Sequence, residues 1–333
     1  MTINSFRPNQ RSLSFYAVFL SSFCFSGFIA ADEFSSDSEE LSEFDSETEE
    51  DSEFESEFDT EWNFDLALTL LRNDNIGRAQ KERDIISDNS AKFFLSAGYD
   101  IDFGLSRIYT LSTFVEKESF EVIKGMEHTT VGASINYQWQ PDIEEPDTAS
   151  YQLNLSVQDD DFTSDQRDST TSIAILSVSK PISDNISLSA GYEYRQRDSE
   201  SNVFDLNTQQ VFLSADYFIN QDWTLYAAYN QTEGPTWSTV QSEFCNGVVA
   251  TDIYPIVSWS NELEFDQAFN DSLCGNWVTY QLDATTQTLT AGVNWFMSDT
   301  FSLDFSTTQV EVDASGSNEY SSKVYTLVLS ARF

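Results

Sequence analysis

The chain has 333 residues and a formal charge of -40, with 16 Lys and Arg against 56 Asp and Glu, and its mean hydropathy is -0.36. That length allows a large single domain, and no run of about 18 apolar residues follows the amino-terminal stretch, which excludes membrane-crossing helices. So acidic a balance gives no reason to expect a nucleic-acid partner.

The first residues carry the pattern of an export signal. Arg7 and Arg11 make a basic start, Ser12 to Ile29 is mostly apolar, and Ala30-Ala31 supplies small residues for cleavage. Residues 1–31 are therefore expected to be a signal peptide. Cys24 reads as one of its apolar residues, because Phe23 before it is too bulky for a lipoprotein cleavage motif. Residues 32–61 contain no Lys or Arg and repeat Ser-Glu-Phe around Phe44, Phe54 and Phe58. Self-repulsion without a core predicts a disordered acidic segment. It serves either as a solvating linker or, through its phenylalanines, as a site for an unidentified periplasmic partner.

From Trp62 the pattern changes to alternation with period two, in segments of about ten residues, the length a tilted strand needs to cross a bilayer. Twelve such strands are predicted. The first two cover 62–71, with Trp62, Phe64, Leu66, Leu68 and Leu70 on one face, and 91–101, with Phe93, Leu95, Ala97, Tyr99 and Ile101 together. The others fall near 105–117, 128–140, 150–159, 171–181, 186–197, 208–219, 223–233, 283–296, 301–312 and 320–333. Low mean hydropathy is no objection, since half of each such strand faces a polar interior.

Connectors alternate short and long. Tight turns are expected at Asp102 to Gly104, Ser183 to Asn185, Asn220 to Asp222 and Ser298 to Thr300, with Pro141 to Ala149 a longer member of that set. The opposite set is 72–88, 118–127, 160–170, 198–207, 313–319 and the long segment 234–282. Cys245 and Cys274 both fall in that long segment, and in an exported chain they are expected to bond to each other. Tyr99, Tyr137, Trp139, Tyr217, Trp223, Trp295 and Phe301 cluster beside the short turns, as an interfacial belt would. A soluble β-sandwich would alternate too, but it would need no such belt.

In the last strand Lys323, Tyr325, Leu327, Leu329, Ala331 and Phe333 share one face, while Val324, Thr326, Val328, Ser330 and Arg332 share the other. It resembles the closing strand of Gram-negative outer-membrane β-barrels. The resemblance spans residues 62–333 and implies an all-β, closed antiparallel barrel of about twelve strands in the outer membrane. It further implies contact with outer-membrane lipid and lipopolysaccharide, and insertion by the barrel-assembly machinery with Phe333 as the assembly signal. Ala331 departs from the bulkier residue often found there. Asp74-Asn75-Ile76-Gly77-Arg78-Ala79 is similar to the Asp-Asn-Val-Gly-Arg-Ala stretch of a family of uncharacterised proteobacterial outer-membrane proteins, which supplies no activity to carry over. An even strand number puts both termini on the short-turn, periplasmic side.

No enzyme is expected. The single histidine, His128, has Thr130 two residues on, but no orienting carboxylate is evident, and His128 reads as the outer rim of the fourth strand. Asp159, Asp160 and Asp161 read as a hydrated loop. Nothing points to a cofactor or a metal.

Alternation assigns Asp65, Asp100, Asp216 and Asp304 to the interior near the short-turn end, with Arg332 among them. Higher up, Glu193, Arg195, Lys92 and Glu116 also turn inward. Such a lumen would concentrate cations, or Arg332 would pair with the acids and plug the small end. The leading expectation is a narrow channel for small hydrophilic solutes, cationic or neutral. The alternative is a non-conducting surface-display barrel whose 234–282 loop, rich in aromatics such as Trp237, Trp259 and Phe269, binds a partner; that loop could equally fold inward.

Overall fold

The computed structural model describes residues 60–102, 106–141 and 148–333. The expected signal peptide, nearly all of the acidic segment, and the centres of the turns at Asp102 to Gly104 and Pro141 to Ala149 lie outside the described residues.

Thirteen strands follow in chain order among the described residues: β1 (Thr60–Asn73), β2 (Asp88–Asp102), β3 (Arg107–Phe120), β4 (His128–Trp139), β5 (Ser150–Phe162), β6 (Ser169–Ser183), β7 (Ile186–Ser199), β8 (Leu206–Phe218), β9 (Trp223–Glu243), β10 (Glu262–Phe265), β11 (Asn276–Phe296), β12 (Phe301–Ala314) and β13 (Asn318–Arg332). All but β10 form one closed antiparallel barrel of twelve strands. Each pairs with its neighbours in sequence, β9 pairs with β11 across the long loop, and β13 pairs with β1 from Asp65 opposite Arg332 to Asn73 opposite Val324. Closure leaves no barrel strand with an open edge.

The twelve-strand expectation is borne out, with two corrections. Thr60 and Glu61 belong to β1, where they pair with Ile101 and Asp100, so the barrel begins inside the segment assigned to the acidic tail. More importantly, much of 234–282 is not loop: β9 and β11 each run 21 residues, and Pro235–Glu243 continues the hairpin against Asn276–Asp283 beyond the wall. Gly234-Pro235 reads as a breaker, yet pairing resumes past it because Gly234 takes φ 135°, a conformation open to glycine, and its missing side chain leaves room for the Asn207 carbonyl. The loop proper is 244–275. It holds helices α1 (Tyr254–Val257) and α2 (Gln267–Ser272), β10 on β11, and the Cys245–Cys274 disulfide.

Alternation sets the two surfaces. Leu68, Leu95, Leu111, Val131, Ile135, Leu155, Leu213 and Leu327 stand exposed around the outside of the barrel. An apolar band that encircles a molecule marks a membrane-facing surface. At the short-turn end aromatic rings pair across neighbouring strands: Trp62 with Tyr99 at 5.0 Å, Tyr109 with Tyr137 at 4.7 Å, Trp139 with Tyr151 at 5.4 Å and Trp223 with Trp295 at 5.3 Å. The expected belt is thus built from cross-strand ring pairs.

Inside, large side chains lie against the wall. Gly132 faces Phe114, Gly191 faces Phe212 and Gly292 faces Tyr226 across adjacent strands, and each ring occupies the place a Cβ would take on its glycine. A flat ring on a bare backbone buries aromatic area without crossing the lumen. Much of the remaining inward surface is small and polar, including Ser96, Ser112, Ser134, Ser214, Ser306, Thr290 and Thr326.

Candidate functional site

The candidate site is this lumen together with the loops above it. Every residue assigned to the interior lies on an inward face, but the acids of the short-turn end form two groups instead of one ring. On β1, β2 and β13, Asp100 accepts hydrogen bonds from Asn63 (2.7 Å) and Thr110 (2.6 Å), Asp65 accepts one from Ser96 (3.2 Å), and Arg332 Nε lies 3.7 Å from Asp65 Oδ1. On β8, β9 and β12, Tyr226 donates to Asp304 (2.9 Å), and Asp216 is buried nearby. Arg332 thus approaches Asp65, whereas Asp304 is met by the Tyr226 phenol. Higher up, Arg195 pairs with Glu193 on the same strand at 2.9 Å and Lys92 with Glu116 across β2 and β3 at 3.4 Å.

Three lumen residues escaped the sequence reading. Asp159 to Asp161 are not a loop but the end of β5: Asp160 turns inward, buried, and accepts from Thr130 (2.6 Å) and Gln158 (3.2 Å). Glu118 and Arg197 also face inward, from β3 and β7. Strand period would have placed Asp160 and Glu118 had their strands been extended to their true ends, and Arg197 already stood at the end of the expected seventh strand, on the parity of Glu193 and Arg195. His128 begins β4 at the rim as expected, yet it is buried against Phe162 with ring centroids 4.5 Å apart.

Above the lumen the long connectors converge into a lid. Phe120, Ile123 and Met126 from β3–β4, Val203 and Phe204 from β7–β8, and Trp237, Ala268, Phe269 and Trp277 from the β9–β11 region form one buried apolar cluster, with Ile76 of β1–β2 packed against it. Counting round twelve strands, β9–β11 stands opposite β3–β4. The loop therefore spans the mouth, and α2 rests on the Lys124–Met126 turn where Gly125 admits the Ala268 backbone. The extended hairpin is covered on both faces: Trp237, Thr239, Trp277 and Thr279 serve this side, while Val240, Val278, Tyr280 and Leu282 meet Ile253, Ile256 and the inward Val312 and Ala314.

Polar contacts fix the lid. Fully buried Asp266 caps α2 by accepting from the Phe269 N–H at 3.3 Å, and its other oxygen receives Arg167 (2.7 Å), Thr239 (3.0 Å) and Thr279. Burial pushes the Arg167 guanidinium pKa down and Asp266 pushes it back up. Arg167 lies over Phe204 at 4.1 Å and Trp237 at 4.7 Å, and Arg78 over Trp237 at 4.2 Å. An aspartate three residues before Phe269, at the head of an Ala-Phe pair, is the N-cap signal that could have found α2.

The stretch Asp74 to Ala79 proves to be part of this closure. Asn75 is buried and bonds Ala79 through both its amide oxygen and its amide nitrogen, Arg78 takes φ 56°, the Gly77 carbonyl accepts from Thr239 N–H at 2.8 Å, and the Arg78 carbonyl from Ser238. At the surface Lys81 and Arg83 hold Asp252 of the long loop at 3.1 and 2.7 Å.

These features define a closed transmembrane-type β-barrel with a polar, carboxylate-rich interior and a folded lid at the long-loop end. No protein-family model and no curated protein matches the sequence. Among solved structures the fold is shared with an outer-membrane channel from Pseudomonas putida F1, at 8% identity and TM-score 0.51, covering 81% of this chain and 95% of that one. Weaker likenesses are to the NanC porin, at 12% identity and TM-score 0.43 over 79% and 98% of the two chains, and the KdgM porin, at 9% and 0.38 over 80% and 99%. The fold is that of Gram-negative outer-membrane β-barrels.

Proposed function

We propose that the protein is a lidded channel of the bacterial outer membrane, passing small hydrophilic solutes that are cationic or neutral. The carrying observation is a lumen lined by small polar residues, in which carboxylates (Asp65, Asp100, Glu116, Glu118, Asp160, Glu193, Asp216, Asp304) outnumber cations (Lys92, Arg195, Arg197, Arg332), beneath a mouth covered by the long connectors and the extended β9–β11 hairpin. A carboxylate excess in a narrow passage raises local cation concentration and disfavours anions. Short turns and both termini would lie in the periplasm, the apolar band in lipid, and the lid among lipopolysaccharide, with Phe333 read by the assembly machinery. The opposite arrangement of termini would put the lid inside.

The test is single-channel recording on refolded protein in planar bilayers. Brief openings with cation preference are expected, weakened when Asp100 and Asp304 become Asn; silence even after deletion of 244–275 would sink the channel reading. One observation favours a second reading, a surface-display barrel: Tyr254, Trp259 and Phe265 stand exposed on the lid. Unchanged conductance with loss of surface binding on the same deletion would support it instead.

A further inference from the structure

A cluster of three donors lies apart from the acids of the short-turn end. Glu118 of β3 is paired directly with His128 of β4, and Glu116 sits one inward position along from Glu118. His128 Nε2 is 3.9 Å from Glu116 Oε1 and 3.9 Å from Glu118 Oε2, and the three ligand atoms lie within 4.8 Å of one another. All three residues are more than nine-tenths buried.

The surroundings prepare these donors. His128 Nδ1 is 3.1 Å from the Met126 carbonyl, which can only accept, so Nδ1 carries a hydrogen and Nε2 is the nitrogen presented to the carboxylates. Ser90 donates to Glu118 Oε1 at 2.6 Å and leaves Oε2 turned to the histidine. Lys92 approaches Glu116 at Oε2, on the side away from the imidazole contact. Each donor is thus fixed through its other atom. One lysine faces two carboxylates, so a cation bound beside the imidazole would offset the negative charge they bury.

We propose that Glu116, Glu118 and His128 bind a single divalent transition-metal ion, with zinc the best fit, in the upper lumen beneath the lid. One imidazole with two carboxylates suits zinc better than calcium or magnesium, which favour oxygen alone. Bonds of about 2.0–2.2 Å put tetrahedral donors about 3.4 Å apart, so the two 3.9 Å histidine–carboxylate distances close by roughly half an ångström and the carboxylate pair by at most about 1.4 Å. Three protein ligands leave a further position open to the lumen. Because Met126 belongs to the turn that supports α2, an ion here would also brace the lid's far abutment.

Cobalt(II) titration of the refolded full-length chain, carrying no polyhistidine tag, tests the site by visible ligand-field absorption. One equivalent is expected, displaced by Zn2+, with affinity weakened at least about tenfold in His128→Ala and in Glu118→Gln. Lys92→Met, which removes the competing cation, should tighten binding, a change that a purely structural role would not produce. Absence of absorption on the unmodified chain would overturn the proposal without recourse to any variant. Undiminished binding in both His128→Ala and Glu118→Gln would overturn it equally. Neither result bears on conductance, so the channel reading is tested separately.

Discussion

Ala268 of α2 rests on Gly125 of the β3–β4 loop, on the wall opposite the strands that carry it. A Cβ at Gly125 would collide with the Ala268 backbone, so this contact sets how far the lid descends. Gly125→Val is expected to lift α2, weaken closure by about 1–3 kcal/mol as overpacking does, and lengthen open times in bilayer recordings. Unchanged open times would mean that α2 is not the closing element.

Asp266 should matter more than any apolar residue of the lid. Asp266→Ala leaves Arg167 buried without its carboxylate partner, a loss of about 3–5 kcal/mol for such pairs. The expected signature is fast amide exchange over 262–282 while the barrel strands below stay protected. Uniform loss of protection throughout would show that lid and barrel are one cooperative unit.

The Cys245–Cys274 bridge closes a span of 29 residues in the outer part of the loop. Loop-closure entropy for such a span is about 3–4 kcal/mol. Reduction, or Cys245→Ser, should therefore expose 246–273 to proteolysis and leave heat resistance of the barrel intact. Protection of that segment under reducing conditions would count against the tether.

The latch between the first loop and the lid gives a pH dependence of opposite signs at two aspartates. Hydrogen bonds from Arg83 and then Lys81 hold the Asp252 carboxyl far below its usual range, so its contribution stands above pH 3.8 and fails only as pH falls through that lowered value. Burial raises Asp84, with Arg83 partly offsetting it, so its contribution is full below 3.8 and is lost as pH rises through the raised value. Mild acidification should tighten closure, and strong acid should release it. Open probability measured against pH in Asp84→Asn should lose the first effect and keep the second.

The glycine seats of the wall rings predict a narrowing mutant. Gly132→Leu should drive Phe114 off the wall into the lumen, lowering the conductance of protein already lacking 244–275. A conductance equal to that of the deletion alone would show that the ring finds another seat.

Much of the barrel was legible because strand period needs only local alternation: Leu66 and Asp65 declare their faces without knowledge of any partner. The lid was not, because its determinants are distant in sequence. Pro235 looks like a strand end until Asp283 pairs with it, and Asp266 looks like one more acid until Arg167, 99 residues earlier, meets it. The inward acids of the short-turn end follow from parity, whereas their division into two groups depends on which strands become neighbours on closure. Asp160 was missed for a simpler reason: three adjacent acids outweigh two-residue alternation when only composition is read.

Asp74 and Asn75 reach back to the last strand, Asp74 accepting from Lys323 N–H at 2.7 Å and Asn75 donating to the Ser321 carbonyl at 3.1 Å, while Gly77 and Arg78 hold the lid hairpin. One short stretch thus straddles the seam where the sheet meets itself. During assembly its lid-holding half is expected to seat only once its seam-holding half has found β13. A chain stalled before its final strand arrives is expected to keep an unlatched mouth, so the latch doubles as a sign that the cylinder is complete.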